Sequence, residues 1–330
     1  LISLYPLVQN ETVKMLKKRR FLVVALIILV LIPVFTYGQM KVAERTRKQL
    51  GTSDWRATEL QNIQRYTDRL SSPRTTDEFR RYLQFALEVS KYSLEHNINP
   101  NVPSGVTFTR DFAKNALSLF LPLMVGVLAA DIVSGEQTAG TIKLLLTRPV
   151  RRWRVLMSKA LALMLFVSLI LLMTVVLSYL ISGAVFGYGG WNAPVLTGFS
   201  VSGTDVSTAN AHAIHQWQFL LMEFGLAWFS CLVVAFMSLM VSVLVRSTAA
   251  GIGIMLATLI AGTILTNMAS SWETAKYLFM VNIDTIGYLT GSPPPVEGMD
   301  LTFSLMVLAV WALAALATAF TVFTRRDMLS

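Results

Sequence analysis

Asp131 to Lys159 reads DIVSGEQTAGTIKLLLTRPVRRWRVLMSK, a polar bridge between two apolar runs. One run enters it from Asn115 and another leaves it from Ala160. Inside lie Gly135 and Gly140, a short amphipathic piece from Thr141 to Leu146, Pro149, and a basic cluster of Arg148, Arg151, Arg152 and Arg154. Each flanking run is long enough to cross the ~30 Å of hydrocarbon in a bilayer. The stretch therefore predicts a hairpin joining two membrane helices. Gly135 is expected to stop the first of them, and residues 151–159 to restart a helix. Asp131 and Glu136 sit at a helix carboxyl end, where the dipole disfavours anions. They need cationic partners, and the arginines of the bridge are the candidates.

Outward from the bridge the same alternation recurs. The chain has 330 residues, 54% hydrophobic and 14% charged, with mean hydropathy +0.57. Soluble domains carry about 25% charged residues. Apolar stretches predict spans at 21–39, 114–133, 158–186, 217–245, 249–269 and 301–323. The alternating ten-residue segments of a membrane barrel do not occur. The expected fold class is all-α, a polytopic membrane protein with six transmembrane helices, an amino-terminal interfacial helix and a small helical extracellular insertion.

The connecting segments fill in that plan. In residues 1–20, Leu4, Leu7, Val8, Thr12 and Met15 approximate one helical face, with Gln9, Asn10, Glu11 and Lys14 mostly elsewhere, as in an amphipathic helix lying in the membrane interface. Lys17 to Arg20 followed by Phe21 to Val34 has the look of a signal peptide, but no small-residue cleavage site follows, so it reads as the first span. With Leu1 in first place, an initiator methionine is expected upstream. Residues 40–113 are polar and mixed in charge. Trp55, Glu59, Ile63, Tyr66 and Leu70 suggest one helix. Thr76 can cap a second, with Phe79, Tyr82, Leu83, Ala86 and Ser90 on one side. Residues 134–157 are the hairpin, 187–216 and 270–300 are loops, and 324–330 is a tail.

The formal charge is +9. In a soluble protein that would suggest nucleic acid; here the cations gather at span ends and in short loops. The positive-inside rule then puts both termini, the bridge and Arg246 in the cytoplasm. The 40–113 insertion translocates despite its arginines, because long loops cross largely regardless of charge. The single Cys231 lies in an apolar run and excludes an internal disulfide.

Nothing in the sequence supplies catalysis. Gly135 to Thr141 has two glycines of a P-loop, but Thr141 stands where the phosphate-holding lysine must be. His212 and His215 are three apart, with no carboxylate or Cys nearby to complete a metal site. Glu223 stands within the fourth span, where an ionised group costs roughly 2.5–3.5 kcal/mol at mid-depth. It is a candidate intramembrane polar site. A cation or proton site on a pathway and a residue hydrogen-bonded to a neighbouring helix both remain open.

The bridge resembles the pattern Asp-x-x-Ser-Gly-Glu-x-x-x-Gly-Thr-x-x-x-Leu-Leu-x-x-Pro of type-2 ABC exporter permeases. The likeness is close over about 30 residues and loose elsewhere, through the basic amphipathic start, the six spans and the terminal Arg325-Arg326-Asp327. The resemblance implies a permease in the bacterial plasma membrane, dimeric with an identical or homologous second permease chain, surrounded by lipid, bound to two cytoplasmic ABC ATPase subunits and not to nucleic acid. ATP and Mg would be held by those subunits, with no cofactor on this chain. The coupling role falls on Ser134, Gly135, Glu136, Gly140, Thr141, Leu145, Arg148 and Pro149. The roughly 70-residue insertion sets the chain apart from compact members of that family. The competing classes are an ion-coupled secondary transporter, whose internal repeats are not visible, and a membrane sensor with the insertion as receptor. Neither requires an ATPase.

Overall fold

In lipid every backbone N–H and C=O must be bonded within the protein, so apolar runs of this length fold as helices. The computed structural model describes residues 4–17, 19–50, 54–73, 75–100, 102–141, 150–203, 205–266, 268 and 272–325. A short amphipathic α1 (Leu4–Lys17) precedes α2 (Arg19–Leu50). The insertion contributes α3 (Trp55–Leu70) and α4 (Asp77–Glu95). Then come α5 (Gly105–Ser118), α6 (Phe120–Ala130), α7 (Ser134–Thr138) and the long α8 (Arg152–Phe186). After two small β hairpins follow α9 (Gln216–Leu244), α10 (Thr248–Thr266), a short α11 (Gly287–Thr290) and α12 (Leu301–Arg325). Among the described residues, six segments are long and apolar enough to cross a membrane: Arg19–Thr46, Phe120–Thr138, Arg152–Phe186, Gln216–Leu244, Thr248–Thr266 and Leu301–Arg325. The protein is an all-α polytopic membrane protein.

α9 is the central post. Its apolar window is 72% buried, against 22% for α2, α10 and α12, which face outward. α12 shows why. Ala312, Ala315 and Ala319 lie on its buried side, and small residues allow close helix packing in lipid. Met306, Val310 and Leu313 are exposed on the other side, where lipid takes the place of water.

The second span differs from its sequence outline. Its helix starts at Gly105, inside the stretch assigned to the insertion, with Ser104 Oγ accepting from Thr107 N at 3.1 Å as the cap. A Cβ on Gly105 would come within 2.8 Å of Gly183 Cα, so the crossing of α5 and α8 requires glycine. Ser182 Oγ donates to the Gly105 carbonyl (3.2 Å) across the same crossing. The helix then breaks at Leu119, between α5 and α6. Pro122 is the reason: it has no N–H for the Ser118 carbonyl and its ring crowds that oxygen.

α2 runs past the expected end of span 1 at residue 39. Nothing breaks it, and Glu44 pairs with Lys41 (3.1 Å) and Lys48 (2.8 Å) along the extension. α3 and α4 form the expected hairpin, with Thr76 capping α4 at Phe79 N. The buried side of α4 is rotated from the anticipated one. Leu83, Phe85 and Ser90 are buried, whereas Phe79 and Tyr82 are exposed. α4 docks on the 187–216 segment, where Phe199 packs against Phe85 and Tyr92. That segment, expected as a loop, pairs β1 (Pro194–Thr197) with β4 (His212–His215) and β2 (Ser200–Ser202) with β3 (Asp205–Ser207), all antiparallel.

The 270–300 segment is also more than a surface loop. Two 3₁₀ turns, Glu273–Tyr277 and Phe279–Asn282, tuck into the bundle. A Cβ on Gly262 would lie 2.5 Å from Met280 Cβ, so α10 makes room there. Thr285 Oγ1 meets Ser230 Oγ of α9 at 3.3 Å. Non-helical backbone is tolerated at that depth because it is buried in protein.

Candidate functional site

The bridge begins where α6 ends. The chain turns through Asp131, Ile132 and Val133 before α7 starts at Ser134. Two N–H groups at that start, those of Val133 and Ser134, donate to the Ser242 hydroxyl of α9 at 3.1 and 3.0 Å. Ser134 Oγ in turn donates back to the Ala130 carbonyl at 2.6 Å. Helix ends leave orphan donors and acceptors, and here α9 supplies part of what α7 lacks.

Gly135 does not end span 2; the helix has already stopped at Ala130. Its role is space. A Cβ there would lie 2.2 Å from Asp131 Oδ1. The Asp131 carboxylate folds over this glycine and meets Arg20 Nη1 at 2.9 Å and Thr248 Oγ1 at 3.2 Å. α2 and α10 are thereby both tied to the turn. Gly140 is the residue that terminates α7. Its φ is +69° and its N–H reaches the Gln137 carbonyl at 3.1 Å, the left-handed stop that glycine adopts without strain.

Glu136 points inward, only 8% exposed. Its Oε1 meets Lys14 Nζ of α1 at 3.0 Å and its Oε2 meets Lys159 Nζ of α8 at 2.9 Å. Lys159 is fully buried and also lies 2.8 Å from Glu11 Oε2 of α1 and 3.2 Å from the Ile132 carbonyl. The contacts to Glu11 and the Ile132 carbonyl are hydrogen bonds, and the one to Glu136 is an ion pair by distance. Lys14 closes the ring on Glu11 Oε1 at 2.9 Å. Two carboxylates and two ammonium groups thus form a network of zero net charge joining α1, α7 and α8. Burial lowers the Lys14 pKa, but Glu11 and Glu136 outweigh it and hold the group above its ordinary 10.5. A raised lysine value means that its contribution is complete below pH 10.5 and fades only as pH rises past that value.

The anticipated partners of the two acids were the bridge arginines. The cations the structure places on them are Arg20, Lys14 and Lys159. The described bridge arginines, Arg151, Arg152 and Arg154, stand instead at the start of α8. Arg151 is exposed and Arg154 stacks 5.4 Å over the half-exposed Trp153 ring. Thr138, Gly140 and Thr141 are exposed beside them, and Thr138 Oγ1 touches the Arg246 carbonyl at 3.3 Å. Of the expected coupling residues, Ser134, Gly135 and Glu136 are thus in the buried network and Gly140 and Thr141 on the open surface. Leu145, Arg148 and Pro149 lie outside the described residues.

Glu11, Lys14, Arg20, Lys159, Ser242 and Thr248 escaped the sequence reading. Two of them carried a signal. Glu11 falls in phase with Leu4, Leu7, Val8 and Met15, on the apolar face of α1, and Lys159 stands at the mouth of an apolar run. Charges in those positions ask for each other.

Glu223 is fully buried in α9, and neither carboxylate oxygen has a hydrogen-bond partner among the described residues. The charges that reach it are Arg110, Asp111, Lys114 and Asp284, two of each sign. His212 and His215 sit on β4, and positions three apart on a strand face opposite ways. Their Nδ1 atoms lie 2.8 Å from the Asn210 carbonyl and 3.4 Å from that of Asn192.

Fold and site together define a multi-pass α-helical membrane protein with an ion-paired bridge at one end of its bundle. The chain belongs to the family described as "Protein of unknown function (DUF2705)", matched over residues 81–329. It is 32% identical over 246 residues to the "Uncharacterized protein YhcI" of Bacillus subtilis (strain 168), covering 73% of this chain and 75% of that protein. It is 26% identical over 215 residues to the "Uncharacterized membrane protein YdbK" of the same organism, covering 64% of this chain and 80% of that one.

Proposed function

We propose that this chain is the membrane permease subunit of an ATP-driven exporter in the bacterial plasma membrane. It holds no nucleotide machinery of its own and works with two cytoplasmic ATPase subunits, which carry ATP and Mg, and with a second permease chain. Both termini and the bridge face the cytoplasm, because Lys14, Lys17, Arg19, Arg20, Arg151, Arg152, Arg154, Arg246 and Arg325 all gather at that end.

The observation that carries the reading is the two-sided build of the bridge. Its outer side offers Thr138, Gly140, Thr141 and exposed arginine to a partner. Its inner side is ion-paired to α1 and α8 and hydrogen-bonded to α9. A partner that displaces the outer side must move those helices as well, since the buried pairs break only at large cost. That is what a lever between a soluble motor and membrane helices requires.

The test is the composition of the complex. The tagged chain, extracted gently from its native membrane, should bring down an ATP-binding polypeptide in equal amount. Arg151→Glu with Arg154→Glu, both away from the buried network, should release that polypeptide and leave the chain folded in the membrane. Recovery of the wild-type chain alone, with transport intact in vesicles free of nucleotide, would overturn the proposal.

A further inference from the structure

A cavity of about 830 Å³ lies at the end of the bundle away from the bridge. α2 starts beside Asp131 with Arg20, and the cavity opens along the same helix from Val34 onward, some 21 Å higher at 1.5 Å per residue. α3, the start of α5 and the tip of α8 complete its walls. Its size is in the range of sites that enclose small molecules.

The lining is chemically one-sided. One wall is aromatic and well braced: Phe35 and Phe108 both pack on Phe112, at centroid distances of 5.5 and 5.8 Å. The opposite wall is α3, where Trp55 and Glu59 stand one helical turn apart on the same face. Glu59 is 5% exposed, and its hydrogen bond is a long one, 3.4 Å from Asn62 Nδ2 on its own helix. Asp111 faces the hollow too, but Arg110 Nη2 lies 3.0 Å from it. No Lys or Arg is among the described residues that line the cavity. A buried carboxylate is unfavourable without a cation, and this one borders a hollow whose walls mix apolar side chains with neutral polar ones such as Gln39, Thr58 and Asn62.

We infer that this cavity is a binding site for a hydrophobic cation, an amine or onium group on an apolar body, with its charge at Glu59 and its body against Phe35 and Phe108. Among the described residues, the nearest cations are held by lining side chains, Arg56 over Trp55 and Arg110 on Asp111, which leaves Glu59 as the charge open to a ligand. A neutral acyl chain would fill the hollow but leave Glu59 as it is. Trp55, one turn away, already carries the Arg56 guanidinium 5.0 Å over its ring, so the charge of the ligand is met by Glu59 and not by that ring.

The probes are tetraphenylphosphonium and tetraphenylborate, nearly identical in shape and opposite in charge. Equilibrium binding is measured on the purified full chain in nanodiscs of zwitterionic lipid, with empty discs subtracted. No ATPase is present, so the result is independent of the exporter reading. The phosphonium should bind saturably at one per chain and the borate should not. Glu59→Gln should weaken phosphonium binding at least tenfold. Gly38→Phe, checked for an unchanged helical circular dichroism spectrum, should abolish it, because Gly38 is on the cavity wall and a Cβ there meets nothing within 4 Å. Equal binding of both ions would assign the hollow to lipid and sink the inference. Unchanged binding in Glu59→Gln would also sink it, as would a Gly38→Phe that dissociates a dimer and spares the cation.

Discussion

At the scale of single residues, the bridge turns on two glycines with opposite requirements. Gly135 has ordinary backbone angles but no room; Gly140 has room but a left-handed backbone. Gly135→Ala must push the Asp131 carboxylate off Arg20 and Thr248, and leaving a buried charged acceptor short of its partners costs about 3 kcal/mol, even with Arg20 half-exposed. Gly140→Ala meets only the left-handed penalty, about 1–2 kcal/mol. Thermal unfolding in detergent should rank them in that order. Equal shifts would mean that Asp131 is not seated over Gly135. Lys159 and Glu223 make a second contrast, a buried ammonium with three oxygens around it against a buried carboxyl group with no hydrogen-bond partner among the described residues. Lys159→Met leaves Glu11 and Glu136 with Lys14 alone between them, a buried excess of negative charge, and should lower stability by about 3–5 kcal/mol. Glu223→Leu removes a carboxylate that lacks a hydrogen bond and should be neutral or stabilising in the same assay. A large loss in Glu223→Leu would show that a partner holds it.

At the scale of elements, α1 is the piece whose position depends most on charge. Its apolar face buries Met15, but Glu11 lies in the same stripe and needs Lys159 opposite it. Glu11→Lys should detach α1 from α8, read as a rise in amide hydrogen exchange across residues 4–17 with α9 unchanged. Unaltered exchange there would mean that lipid, not the ion pairs, holds α1. Much at this scale was legible in the chain. The Thr76 cap, the α3–α4 hairpin and the six apolar runs follow from local chemistry. The break at Leu119 could also have been read, because Pro122 announces it four residues beyond Ser118. The start of α5 at Gly105 could not. It depends on the backbone of Gly183, 78 residues away, and no local pattern reports such a contact. The rotated face of α4 has the same origin, since Phe199 decides which side of that helix is covered.

At the scale of the whole molecule, charge and cavity separate the two ends of the bundle. The cationic end carries the bridge, and the other end carries the insertion, the hairpins and the hollow beside Glu59. The proposed orientation is tested with single cysteines. Cys231 is free and fully buried, so the wild-type background should be silent to an impermeant maleimide. Thr141→Cys should label only from the cytoplasmic side and Ala209→Cys only from the opposite one. Labelling of both from one side would break the six-span arrangement.

The sequence by itself determined that the chain spans a membrane six times as helices, since a long apolar run in lipid has no other way to bond its backbone. It also marked the bridge as the place where polar chemistry gathers. Only the tertiary structure decided which cation sits on which acid. Asp131 meets Arg20, and Glu136 meets Lys14 and Lys159, because helix packing sets which distant side chains share a buried space. Coulomb attraction acts on distance in space, and separation along the chain does not reveal it.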